Sequence, residues 1–148
     1  MVRRALLAML VLAGGCEGNG PARTTALTDS DAAREVFAAL TTAFSDSTGI
    51  DLPFRIRAGS WDYMGEPRMA DAMRDFGIES GRVVESRAVA AHDSVTQIWF
   101  DLPQNNPDKV TANIYENRWR GRVFSVEVRR NGDTWLIGEA EQVAIFFH

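Results

Sequence analysis

The chain has 148 residues, 45% hydrophobic and 24% charged, with 16 Lys and Arg against 20 Asp and Glu, a net charge of −4 and one cysteine. That acidic balance excludes the clustered phosphate neutralisation on which nucleic-acid binding depends. One cysteine excludes an intrachain disulfide, and the length supplies one hydrophobic core, too little for two domains.

The chain opens with Arg3 and Arg4, followed by a charge-free apolar run from Ala5 to Leu12, the small residues Ala13, Gly14 and Gly15, and then Cys16. A membrane-crossing helix needs roughly 20 apolar residues, so this run is too short to span. A positive start, a short apolar middle and a small-residue end are the features of an export signal. With the cysteine in place, Ala13-Gly14-Gly15-Cys16 resembles the lipobox of bacterial lipoprotein precursors. The resemblance implies removal of residues 1–15 as a signal peptide, acylation of Cys16 with palmitate-type chains, and attachment of the domain to a membrane of the cell envelope. Glu17, where an Asp would favour the inner membrane, implies the periplasmic face of the outer membrane in a Gram-negative cell. The alternative is ordinary cleavage, which would release a secreted protein with a spare thiol. Processing would remove two arginines and no acid, moving the net charge from −4 to −6.

Residues 16–27 read as a lipidated cysteine and a flexible polar tether containing Gly18, Gly20 and Pro21. A tether of this length and composition reaches roughly 15–20 Å. Residues 28–148 then form a single domain. It begins with a helix that Thr28 or Ser30 caps, with Asp29 and Asp31 at the positive end of its dipole. Ala33, Val36, Phe37, Leu40, Ala43 and Phe44 recur at helical spacing, and residues 45–49 end the helix. From Ile50 to Ala58 apolar residues alternate with Asp51, Pro53, Arg55 and Arg57, which predicts a half-buried strand that Pro53 assigns to a sheet edge.

Pro67 starts a shorter helix running to Phe76, with Met69, Met73 and Phe76 on one face and Gly77-Ile78 as its stop. Residues 82–90 and 95–102 form a predicted hairpin turning near His92-Asp93. Its second strand aims Ile98, Phe100 and Leu102 at the core and Trp99 and Asp101 away. Val110, Ala112 and Ile114 supply a further core face. The Asn131-Gly132 pair predicts a two-residue hairpin loop that sets Val128 opposite Trp135, Val126 opposite Ile137 and Phe124 opposite Glu139.

That register places Glu139 and Glu141 inside an otherwise apolar stripe of Trp135, Ile137, Val143, Ile145 and Phe147. A carboxylate facing a core is costly unless paired or wet, which makes Glu139 a candidate pocket acid and Glu141 a candidate ligand contact. A bulge near Gly138 is the other reading, and it would turn both glutamates to solvent. Trp61 and Tyr63 are candidate ligand contacts at a pocket lip, or else a lid over the core. Arg118-Trp119-Arg120-Gly121-Arg122 is a basic patch suited to lipid head groups or an anion, or a turn with solvated arginines. His92-Asp93 and the terminal His148 give no metal-ligand spacing, and no motif for a cofactor is present.

The order of elements argues an α+β domain, a long first helix packed on a curved antiparallel sheet. In outline residues 28–147 resemble the cystatin/NTF2-like group, in which a bent sheet wraps a helix around a conical cavity; a lipocalin-like half barrel is the alternative. Two functions follow as expectations. The preferred one is a non-enzymatic, membrane-tethered module binding a protein or a small ligand on the concave sheet. The other is an NTF2-like enzyme of isomerase, dehydratase or hydrolase type, with Glu139 as general base and Tyr115 nearby. In the predicted register Tyr115 lies on the face opposite Ile114, which counts against that pair.

Overall fold

The computed structural model describes residues 26–85, 96–101 and 107–147. The signal-peptide, Cys16 and tether expectations, together with Leu102, His92-Asp93 and His148, lie outside the described residues. No described helix is long and apolar enough to cross a membrane.

Helix α1 spans Asp29–Thr48, capped by the Thr28 hydroxyl, which accepts from the Asp31 amide. Its stripe of Ala33, Val36, Leu40 and Phe44 is fully buried. Side chains the size of Val36, Leu40 or Phe44 each gain about 1.5–3 kcal/mol from complete burial. Helix α2 spans Pro67–Glu79 and starts as its proline predicts, with the Glu66 carboxylate accepting from the Met69 amide at 2.7 Å. It runs past the expected stop at Gly77. The Arg82 amide donates to the Gly77 carbonyl and the Gly81 amide to that of Ile78, so a Schellman ending is present with Gly81, at φ 65°, in the left-handed position. Gly77 stays helical because it faces the sheet. A methyl there would stand 3.1 Å from Val83 Cγ2 and 3.6 Å from Ile56 Cδ1.

Six strands form one open sheet: β1 (Phe54–Arg57), β2 (Val83–Val84), β3 (Thr96–Asp101), β4 (Lys109–Tyr115), β5 (Arg120–Asn131) and β6 (Thr134–Phe147), in the order β2-β1-β3-β4-β5-β6. The class is α+β, as expected, but the sheet is mixed: β1 runs parallel to both β2 and β3. Two expectations are thereby corrected. In place of the hairpin expected of residues 82–90 and 95–102, the described β2 and β3 lie on either side of β1 and do not pair with each other. β1 is an interior strand, and Pro53 precedes it and supplies only its carbonyl, to the Thr96 amide. A proline just outside a strand removes no ladder donor, so it does not force an edge.

Both helices lie against the same face of the sheet. Ile56, Ile98, Phe100, Ala112, Ile114, Phe124 and Val126 are buried on it, and Phe44 meets Phe54 and Phe124 edge-on at 5.8 and 6.3 Å. Helices α1 and α2 close on each other through Phe37 and Phe76 at 5.1 Å, with the Arg82 guanidinium 4.9 Å above the Phe37 ring.

The β5–β6 hairpin forms, with a corrected register. Asn131 pairs with Thr134, so Gly132, at φ 62°, takes the first loop position, and Val128 meets Ile137 instead of Trp135. A two-residue shift preserves the faces, and Val126, Val128 and Trp135 are buried as expected. Two bulges follow. Val126 pairs with Ala140, leaving Gly138 and Glu139 opposite Glu127, and Val123 pairs with Ala144 while Phe124 pairs with Gln142, leaving Val143 extra. Phe124 therefore does not face Glu139.

Candidate functional site

The first bulge decides the fate of the two glutamates. It moves Ala140 onto the core side beside Val126 and turns Glu139 and Glu141 to the exterior, where both are exposed. Glu139 stands at the rim of an open groove between α1 and β6, about 510 Å³ in volume, floored by Ala39, Ala43 and Ala140 and flanked by Glu35 and Asp46. Glu141 pairs with Ser125 and so lies on the other side of the sheet from the helices. The stripe that suggested a pocket acid therefore does not exist as a stripe. The sequence contained the signal for this in Gly138, whose missing side chain admits Glu127: a methyl there would lie 3.3 Å from Glu127 Cβ.

Among the described residues no group of His, Cys, Asp and Glu could hold a metal ion. In the Arg118–Arg122 segment a turn at Arg118 and Trp119 leads into β5, and the arginines are engaged by neighbours. Glu116 pairs with both Arg120 and Arg122, and Arg118 lies 4.5 Å over the Trp119 ring. Val143, Ile145 and Phe147 stay exposed near this turn. The strand there runs on beside Arg122 and Arg120, while α1 meets β6 further up, around Gly138 to Ala140.

The groups that the fold does bring together lie on the face away from the helices. Residues that alternate with the buried ones share this face: Arg55 and Arg57 on β1, Gln97 and Trp99 on β3, Asn113 and Tyr115 on β4, then Gly121 and Phe146 on β5 and β6. Arg57 is its centre. Its guanidinium lies 4.7 Å from the Tyr115 ring centroid and 5.8 Å from that of Trp99, and its Nε donates to Gln97 Oε1 at 3.1 Å. The 3₁₀ turn Ser60–Tyr63 extends the row, because Tyr63 stacks at a tilt on Trp99, 5.1 Å between centroids. At the far end Phe146 meets Tyr115 edge-on at 5.2 Å, and its ring lies over Gly121, where any side chain would collide with it.

Of the sequence candidates, Tyr63 joins this row. Trp61 is half-buried against the core instead. Tyr115 faces Arg57, and Glu139 stands at the α1 groove, so those two are not brought together. Arg57, Gln97 and Trp99 were invisible as a group, since they come from strands whose parallel pairing no local pattern announces.

A second polar cluster ties down the helix ends. Asp29 accepts from Arg68 Nε at 2.8 and 2.9 Å and from Trp135 Nε1 at 2.7 Å, while Arg68 Nη1 reaches Asp133 at 3.0 Å. The Arg68 bonds, aided by the indole and opposed by partial burial, hold the Asp29 carboxyl below the ordinary value of 3.8. Bonds to Asp29 and then Asp133 hold the Arg68 proton more firmly than usual. The cluster joins α1, α2 and the hairpin, and its charges are mutually spent, so it reads as a brace. Compared with known protein families, with characterised proteins and with solved structures, the chain matches none.

Proposed function

We propose that this chain is an exported lipoprotein, held at the periplasmic face of the outer membrane by acylated Cys16, whose domain is a non-enzymatic binding module for a protein or a small ligand. The observation that carries the reading is the two-sided sheet. One face is closed by both helices, and the other presents a row of aromatic rings around an arginine instead of a sealed apolar core. Aromatic and arginine side chains are the groups that concentrate binding energy at interfaces. A long helix across one face of a sheet keeps the cystatin/NTF2-like outline within the proposal, and the parallel β1 pairs depart from it.

The chain enters the domain beside Trp135, where Leu27 exchanges both backbone hydrogen bonds with it at 2.9 and 3.1 Å. Anchoring through residues 16–26 would therefore pull on the outer edge of β6 at its hairpin end and leave the aromatic row unobstructed by the attachment point. Each buried acyl methylene contributes about 0.8 kcal/mol, so two or more chains hold the domain stably.

Expression of the full chain and of a Cys16→Ser variant, followed by membrane fractionation and labelled-palmitate incorporation, tests the anchor. The wild type should label and sediment with membranes, and the variant should do neither. A variant that still sediments would overturn it.

A further inference from the structure

We propose that Arg57 and its aromatic walls form a receptor for a carboxylate carried on a flat apolar or aromatic body. The inference rests on reading the face away from the described helices as the binding face, and it adds the chemical class of the ligand.

The arginines of this acidic chain are mostly spent on neighbours. Arg68 lies 2.8 Å from Asp29, Arg74 3.0 Å from Asp71, and Arg120 and Arg122 share Glu116. Arg55 and Arg57 differ. They are alternate residues of one strand, so they share a face, and neither has a carboxylate partner among the described residues. Arg57 is also fixed in place. Its plane is held by the Tyr115 and Trp99 rings, and Gln97 takes its Nε proton. That leaves the two Nη groups as a preformed fork with no protein acceptor among the described residues. A guanidinium held in one orientation loses little entropy when an anion arrives, and rings beside it displace water and strengthen the pairing.

The shape of the fork selects the ligand. A carboxylate is planar with two oxygens and matches a single guanidinium edge. A phosphate dianion is usually met by helix N-terminal amides or by several cations, and here only Arg55 adds a charge on the same strand. The Tyr63–Trp99 stack at 5.1 Å offers ring faces next to the fork, so the body attached to the carboxylate should be flat and apolar.

The test is titration of the full-length chain, followed by the Arg57 Nε–H resonance and by tryptophan fluorescence. Three probes are used: N-acetyl-phenylalanine, its amide, which has the same ring without the carboxylate, and inorganic phosphate. N-acetyl-phenylalanine should shift the Arg57 signal and bind at least about tenfold more tightly than its amide. Arg57→Gln should abolish that preference, and Arg57→Lys should lose most of it because an ammonium has no fork. Trp99→Phe, which leaves the charge, should lower affinity while keeping the preference for the acid. If the amide binds as well as the acid, or phosphate binds better, the carboxylate inference fails while the face remains a binding face. If no probe perturbs Arg57, Trp99 or Tyr115, the inference and the reading of that face both fall.

Discussion

The indole Nε1 of Trp135 donates to the Asp29 carboxylate at 2.7 Å across 106 positions of sequence, joining the first turn of α1 to the first turn-proximal residues of β6. Arg68 completes the junction from α2. Three elements that meet only in the folded chain are joined through one carboxylate, so the ionisation of Asp29 is coupled to the fold.

Stability should therefore fall in acid partly through Asp29. Its folded pKa lies below 3.8, so the unfolded state binds the proton more readily. The contribution is fully present above the unfolded value of about 4 and is lost as pH drops through the folded value. Asp29→Asn should be less stable than wild type at neutral pH and should lose less on acidification. Melting temperatures from pH 2 to 6 check this, and equal acid slopes in the two proteins would remove Asp29 from the account.

Trp135→Phe removes the donor while keeping an aromatic ring in a fully buried site. The lost hydrogen bond and the unfilled volume together should cost about 1–3 kcal/mol in urea denaturation. In a double-mutant cycle with Asp29→Asn the two costs should not add, since the residues share one bond.

Gly121→Ala should destabilise by about 1–3 kcal/mol through overpacking. The new methyl would stand 2.2 Å from Phe146 Cζ and 2.9 Å from the Ile114 carbonyl oxygen. Adding Phe146→Ala should recover part of that loss, because the ring is the movable obstacle; thermal denaturation of the pair against the singles reads it.

Glu139→Gln should change stability by less than about 0.5 kcal/mol, as expected of an exposed position, and should leave probe binding at Arg57 unaltered. Leu40→Ala, at a fully buried position of α1, should cost about 2–5 kcal/mol by the same assay. A large effect at Glu139 would show that the groove between α1 and β6 matters to the fold or to binding.

Elements with a strong local signature were readable in advance. The α1 stripe and a cap at Thr28 or Ser30, the start of α2 at Pro67, the core faces of β3 and β4, and the existence of the β5–β6 hairpin all follow from periodicity and turn chemistry within a few residues. The errors share a cause. Pro53 reads as an edge marker only if it lies inside the strand, and Gly77 reads as a stop only if nothing packs on it. Asn131-Gly132 fixes a loop to within one residue, and one residue of loop moves the register by two. The candidate site is less legible still: Tyr63 stands out by its residue type, whereas Arg57 reads as an ordinary solvated strand arginine.

The sequence by itself determined the hydrophobic periods, the caps and turns, and therefore the core faces of the helices and of β3 and β4, because those depend on neighbours a few positions away. The tertiary structure alone decided where β1 inserts, on which strand the extra residues at Gly138-Glu139 and Val143 fall, and what surrounds Arg57. Those depend on pairing between distant segments, where the chain chooses among registers of nearly equal local merit by the total burial each achieves. The extra residue at Gly138-Glu139 reverses the side chains of β6 until the second bulge at Val143 restores them, and so it was the bulge, and not the composition of the strand, that put Glu139 in water.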